Sequence, residues 1–303
     1  MNERTEAVLD RLEASGIRAK IVPLTHIEML KSKFDLMRRR GLLQQDLVDR
    51  YLHHFDFEPE VKGFEARSVI VTASRQPKVA ITFSIHETPT ALYLPPTYSS
   101  ATDDEVRDLL RDGVSGESVA FEDVILPNKS LAAHSGLSRF GRNNVTYIPE
   151  WGSYFRLKCF LSDLEPIHAE YRELAYMDAC LECALCPEAC PTDAIAADRS
   201  LIHADRCLCY INEGPGEFPD WLEPAANDCI FGCMLCQEVC PYNEDQLDHL
   251  RDDIHFDDGE TDRILNAESL SSLPEGIRET LEEFLTEEWF PLFVRNVRFL
   301  LRV

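Results

Sequence analysis

Eight cysteines in two interlocking runs constrain this chain more than any other feature. The first run reads Cys180-Leu-Glu-Cys183-Ala-Leu-Cys186-Pro-Glu-Ala-Cys190-Pro191, a C-x2-C-x2-C-x3-C-P spacing. Cys207 follows alone, and Cys233-Met-Leu-Cys236-Gln-Glu-Val-Cys240-Pro241 completes the second set. Three thiolates in one tight loop can wrap three corners of a cubane, and the fourth, three residues on, opens a short helix and reaches a second cubane. The proline that follows has a fixed φ and no N–H, which suits the first turn of that helix. This geometry assigns Cys180, Cys183, Cys186 and Cys240 to one [4Fe–4S] cluster. It assigns Cys190, Cys207, Cys233 and Cys236 to the other, with Cys207 standing in for the first cysteine of a motif whose leading loop is stretched.

Other readings of these cysteines are weaker. Structural zinc uses C-x2-C pairs, but rarely three cysteines at that spacing followed by x3 and proline. A disulfide framework needs an oxidising compartment, and the opening Met1-Asn-Glu-Arg-Thr-Glu begins an acidic amphipathic stretch unlike a signal peptide. No apolar run reaches the length of a membrane span, so a reducing, cytoplasmic location is expected. The remaining three of the 11 cysteines, Cys159, Cys209 and Cys229, read as buried core thiols. Cys209 and Cys229 lie close enough in sequence to the ligands for an exchange to stay open.

The chain in order reads as an α/β domain ahead of the clusters. With 303 residues, 45% of them hydrophobic, it has enough apolar side chains for a real core. Thr5 to Ala14 and Thr25 to Arg40 have helical periodicity, and Leu43 to Phe55 continues as a further helix. Ile17 to Pro23, Ser68 to Ala73, Lys78 to Ile85, Thr90 to Leu94, Val119 to Leu126 and Tyr154 to Leu161 read as strands. Asp103 to Leu110 is a short helix with acids in its first turn, as the macrodipole favours. Strands and helices mixed in this way predict a sandwich-like α/β or α+β cofactor and substrate domain over 1–165. A ferredoxin-like double-cluster domain follows over 175–245. Residues 246–303 hold an acidic, exposed linker and a helical segment from Pro274 to Leu301, kinked at Pro291.

A second informative stretch precedes the cysteines: Ser135-Gly136-Leu-Ser-Arg-Phe-Gly141-Arg142-Asn143-Asn144, with Gly152-Ser153 beyond it. Glycines five apart permit close backbone approach to a ligand, and Arg142, Asn143 and Asn144 place donors beside it. An ordinary turn is an equal reading of the same residues. The glycine and lysine spacings exclude a Walker loop and a dinucleotide fingerprint. The net charge of −24, from 54 acidic against 30 basic residues, opposes general capture of a polyanion. Lys31, Lys33, Arg38, Arg39 and Arg40 form a basic run that reads as a solvated helix face.

Together the two stretches resemble epoxyqueuosine reductase and its relatives, the cobalamin-dependent iron–sulfur reductases that include the reductive dehalogenases. The residues that carry the resemblance are Ser135 to Asn143, Gly152-Ser153, Cys180 to Ile195, Asp205-Arg206-Cys207 and Gly232 to Asn243. The late pair Arg295-Asn296 is similar to the family's closing helix. The resemblance implies that a low-potential donor, such as a ferredoxin or flavodoxin, reduces two [4Fe–4S] clusters. One of them would lie near a base-off cobalamin, as cob(I)alamin or cob(II)alamin, that attacks or reduces the substrate while an acid supplies a proton. Gly136, Gly141, Arg142, Asn143 and Ser153, with Asn144 beside them, would line the cofactor pocket. In the epoxide branch the product is queuosine in tRNA. That branch carries Asp-Tyr-His where this chain reads Leu94-Pro-Pro-Thr97-Tyr98-Ser-Ser. Tyr98 is therefore the candidate acid, with His86 and Glu87 behind it; its bland reading is a loop tyrosine with a hydrogen-bonded hydroxyl. The departure and the acidic surface fit a diverged paralogue as readily as a tRNA enzyme. An iron–sulfur electron carrier with no substrate of its own, or a reductase with flavin in the same pocket, are the rival readings.

Overall fold

The periodic segments of the sequence resolve into alternating elements in a computed structural model that describes residues 3–112, 118–174, 176–196 and 201–303. In chain order these are α1 (Glu3–Ala14), β1 (Ile17–Pro23), α2 (Thr25–Arg39), α3 (Gln45–Tyr51), β2 (Ser68–Arg75), β3 (Lys78–Ile85), β4 (Thr88–Leu94), α4 (Asp103–Arg111), β5 (Phe121–Asp123) and α5 (Asn128–His134). Then come β6 (Arg139–Phe140), β7 (Thr146–Tyr147), β8 (Phe155–Ser162), α6 (Leu185–Ala189), α7 (Leu208–Asn212), α8 (Leu235–Glu238), β9 (Leu250–Phe256), α9 (Asp258–Asn266), α10 (Glu275–Glu282) and α11 (Phe290–Leu301). Helices and sheets are mixed, as the α/β or α+β expectation had it. The chain forms two units: Met1–Arg75 with Thr102–Leu181, and Gln76–Ala101 with Glu182–Val303. The hairpin segment 76–101, expected inside a domain over 1–165, thus belongs with the unit that carries seven of the eight motif cysteines, Cys180 lying in the first unit. The module boundary expected at 175 falls on a residue outside the described set.

The first unit is built on an antiparallel sheet in the order β1-β2-β8-β5. Central β2 is apolar on both faces and covered on both, because successive side chains alternate sides. Val69, Val71 and Ala73 pack with Ile27, Leu30, Leu131, Trp151, Cys159 and Leu161 on one face. Ile70 packs with Val8, Leu12, Ile21, Val106, Leu110 and Phe160 on the other. The register Ser68↔Ser162 brings two buried hydroxyls into a 2.7 Å hydrogen bond.

The second unit holds the sheet β4-β3-β9. β3 and β4 form a hairpin whose two-residue turn is His86-Glu87, with φ of 50° and 62°. Two positive φ values suit the right-handed strand twist and are strained for these residues. β9 pairs with β3 in parallel, Ile81 opposite Ile254 and Phe83 opposite Phe256. Val79, Ile81, Phe83, Ile254 and Phe256 join Leu281, Phe290, Phe293 and Val297 in one core.

Three local expectations are corrected. The acidic stretch after Cys240 is not a linker: β9 and α9 occupy 250–266, because Ile254 and Phe256 alternate with outward polar residues and reach the core. A capping box between Asp257 and Glu260 opens α9. Pro291 does not kink a long helix but sits in the first turn of α11, where its missing N–H is not needed. The strand expected over Val119–Leu126 shortens to Phe121–Asp123, paired with one end of β8.

Candidate metal centre

The ligand spacing dictates very short elements around each thiol. Cys186 lies on α6 and Cys236 on α8, and these two helices pack together. Cys190 has extended backbone after α6 and is followed by Pro191; Cys240 is extended ahead of the 3-10 turn that Pro241 opens. Cys207 takes the N-cap position of α7, with φ −68° and ψ 125°. Backbone N–H groups of Cys209 and Tyr210 donate to the Cys207 thiol, and that of Leu235 to the Cys233 thiol. Such N–H donors at helix starts stabilise a thiolate and tune a cluster's potential.

Of the four ligands assigned to one cluster, Cys190 and Cys207 both bear electrostatically on Cys233, although among the described residues no three His, Cys, Asp or Glu side chains are gathered as a metal site. Burial, and then its neighbours Cys207 and Cys190, push the Cys233 thiol up to about 12. Without a metal the Cys207 and Cys233 thiols, raised by burial, would be neutral; iron displaces their protons, so donors of this kind suit a thiolate-ligated cluster. Cys236 follows Cys233 on the same short segment. Of the other ligand set, Cys183 and Cys186 flank the start of α6, Cys240 precedes Pro241, and Cys180 closes a 3-10 turn at Asp178–Cys180. The three extra cysteines differ among themselves. Cys159 and Cys229 are buried, and burial raises both thiols. Cys209 is half-buried, and its Sγ donates to Glu213 Oε1 at 2.8 Å.

Tyr98 ends a 3-10 turn at Pro96–Tyr98, and its ring stacks on Phe231 with centroids 6.0 Å apart. Its hydroxyl donates to Glu213 Oε1 and stands 3.8 Å from Cys209 Sγ. Burial, then Cys209 and Glu213, hold the phenol well above its ordinary range. Gly232, at φ +70°, lets this ring approach: a Cβ there would stand 2.8 Å from Pro95 and 3.0 Å from the Tyr98 ring. Glu213 escaped the sequence reading; its one signal is the Cys209-x3-Glu213 spacing, which puts both side chains on one face of α7 and its C-cap. His86 and Glu87, the reserve acids, are exposed at the hairpin tip.

The glycine-rich loop belongs to the first unit. Gly136, at φ +75°, ends α5: its N–H bonds the Ala133 carbonyl and the Leu137 N–H bonds that of Ala132. A Cβ on Gly136 would stand 2.7 Å from the Arg172 guanidinium, and one on Gly141 2.6 Å from the Tyr147 ring. Both glycines thus admit close approach by this chain's own side chains. Asn143 Nδ2 donates to the Tyr147 hydroxyl at 2.8 Å, and Asn144, at φ 61°, offers its carbonyl to Lys129 Nζ at 3.1 Å. Arg142 Nη2 donates to the carbonyls of Cys180 at 2.6 Å and Leu181 at 3.2 Å. Ser153 is buried. Ser138, also buried, keeps a hydroxyl with no hydrogen-bond partner among the described residues.

Beside this loop, His134 is fully buried, stacked on Tyr171 at 3.9 Å. Its Nδ1–H donates to the Arg172 carbonyl at 2.5 Å, and Lys33 Nζ lies 3.4 Å from Nε2. Of the basic run on α2, Lys31 pairs with Glu58 and Arg38 with Asp35, as a solvated face does.

Residues 179–243 match the family model described as a 4Fe-4S double cluster binding domain. Epoxyqueuosine reductase of Bacillus subtilis is 29% identical over 97 residues, 31% of this chain and 23% of that protein. Epoxyqueuosine reductase of Cyclobacterium marinum is 35% identical over 83 residues, 27% of this chain and 26% of its own. The chain thus aligns with about a quarter of the length of these relatives. In fold, it is similar to epoxyqueuosine reductase from Streptococcus thermophilus, with a TM-score of 0.64 and 19% identity over 99% of this chain and 81% of that one. An epoxyqueuosine reductase bound to an epoxyqueuosine-modified tRNA-Tyr stem loop gives a TM-score of 0.63 at 20% identity, over 98% and 80%. The resemblance read from the motifs is borne out in both sequence and fold. Among the described residues, no helix is long and apolar enough to cross a membrane.

Proposed function

We propose that this chain is an iron–sulfur reductase of the epoxyqueuosine reductase kind, fed by a low-potential donor such as a ferredoxin or flavodoxin. The observation that carries the reading is the double-cluster domain at 179–243 in a chain whose fold follows that of epoxyqueuosine reductase along almost its whole length. The clusters supply one-electron storage. A bound corrinoid would supply a strongly reducing cobalt centre.

The chain's own residues do the rest. The eight motif cysteines hold iron in the two sets read from their spacing. The loop at Gly136, Gly141, Arg142, Asn143 and Asn144, with Ser153, is the proposed corrinoid pocket. The unpartnered Ser138 hydroxyl supports it, since a buried polar atom without a partner is costly unless a ligand completes it. Tyr98 is the proposed proton donor: burial keeps the phenol protonated at neutral pH, and the Glu213 carboxylate orients its O–H. The proposed substrate is the epoxide-bearing nucleoside of a tRNA anticodon stem, which must be read through local contacts against a net charge of −24.

The test is anaerobic reconstitution with iron and sulfide, titration with cob(II)alamin followed by EPR, and incubation with an epoxyqueuosine-bearing stem loop. A base-off signal and loss of one oxygen by mass spectrometry are expected. Intact clusters with no corrinoid binding would return the chain to the electron-carrier or flavin reading.

A further inference from the structure

We infer that Arg142 is a positioning residue for Cys180 and that its charge raises the reduction potential of the cluster Cys180 enters. The loop that carries it is tied to the segment leading into the cysteines. Phe140 and Tyr176 form a β-bridge, and Met177 N–H donates to the Phe140 carbonyl at 2.9 Å. Two residues on, Arg142 reaches the Cys180 carbonyl with Nε at 3.2 Å and Nη2 at 2.6 Å, and the Leu181 carbonyl with Nη2 at 3.2 Å. Three contacts from one planar guanidinium fix the peptide planes on the C-terminal side of the first cluster cysteine. The loop read from sequence as a ligand cradle therefore also fixes the backbone at Cys180.

The electrostatic consequence follows from sign. Reducing a cluster adds one negative charge, and a guanidinium held within one residue of a ligand favours that state. The nearby acids Asp178 and Glu182 oppose it, and Asp178 is drawn towards Arg139 at 3.7 Å. In a chain with 54 acidic and 30 basic residues, a cation at this position offsets a field that otherwise disfavours electron entry. This inference rests on the cluster domain and not on the corrinoid.

The test is an EPR-monitored redox titration of the reconstituted protein and of Arg142→Gln and Arg142→Lys, alongside cob(II)alamin binding. The expected result is a lower midpoint for one cluster in Arg142→Gln, the other cluster unmoved, and a midpoint near the original in Arg142→Lys. Unchanged midpoints in Arg142→Gln with both clusters present overturn the inference, and a simultaneous loss of cob(II)alamin binding would then leave Arg142 as a pocket residue alone. If Arg142→Gln fails to hold iron, Arg142→Lys decides: two clusters at unshifted midpoints sustain the inference, and a lowered midpoint overturns it.

Discussion

The Tyr98 hydroxyl donates to the Glu213 carboxylate, and of this pair the sequence points only to the tyrosine. With the phenol held above its ordinary range, Tyr98→Phe should keep both clusters and lose turnover of the epoxide by a factor of about 10²–10⁴. Full turnover in that variant would move the proton donor elsewhere. His134 gives a second prediction at this scale. Burial, reinforced by the charges of Lys33 and His26, holds its imidazole down at about 4; the Arg172 carbonyl and Glu173 pull the other way. The unfolded chain, with an ordinary value of about 6.5, takes the proton first as pH falls. The stability His134 contributes is thus present above about pH 6.5 and is lost on descending towards 4, a loss on the order of 2 kcal/mol. His26 and His168, also lowered by burial, act in the same direction. Urea unfolding at pH 7 and pH 5 should show the loss, and His134→Gln should make it smaller.

Short helices carry the thiols, and their length sets what holds them. α6 and α7 have five residues each and α8 four, well below the length at which a helix persists alone. Iron removal by a chelator should therefore raise amide exchange at 183–190, 207–212 and 233–240 while β2 and β8 stay protected. Equal exchange with and without iron would show that packing alone holds these loops. The long insert after Cys207 has its own clamp. Asn212 pairs with Gly232 through both amide atoms, at 2.7 and 3.0 Å. Asn296 on α11 donates to the carbonyls of Asn212 and Ile230, at 2.8 Å each, and Arg295 to those of Gly214 and Gly216. Asn296→Ala should cost about 2–3 kcal/mol in thermal or urea unfolding, since it strands two buried carbonyls. The family resemblance marked the Arg295-Asn296 pair, but its task as a clamp is visible only once α11 lies against the insert.

For the molecule as a whole, net charge is the broadest lever. At −24 the folded chain repels itself, and added salt screens that repulsion. The melting temperature should rise from low ionic strength to about 0.5 M NaCl, where the screening length is only a few ångströms; a falling value would mean that ion pairs such as Arg156–Asp103, at 2.7 Å, outweigh the net repulsion. Strands β1, β2, β3 and β8 were legible because each buries a local apolar pattern, and α1 and α2 because their apolar stripes repeat every three or four residues. β9 was not: Asp252 and Asp253 mask Ile254 and Phe256, and its partner β3 lies far back in the chain. The sequence by itself determined the double-cluster chemistry, because cysteine spacing is a local property of the covalent chain. Only the tertiary structure decided that the hairpin 76–101 joins the unit of residues 182–303, that Glu213 meets Tyr98, and that Arg142 grips the Cys180 carbonyl. Those contacts join residues remote in the chain, and packing, which no local pattern encodes, brings them together.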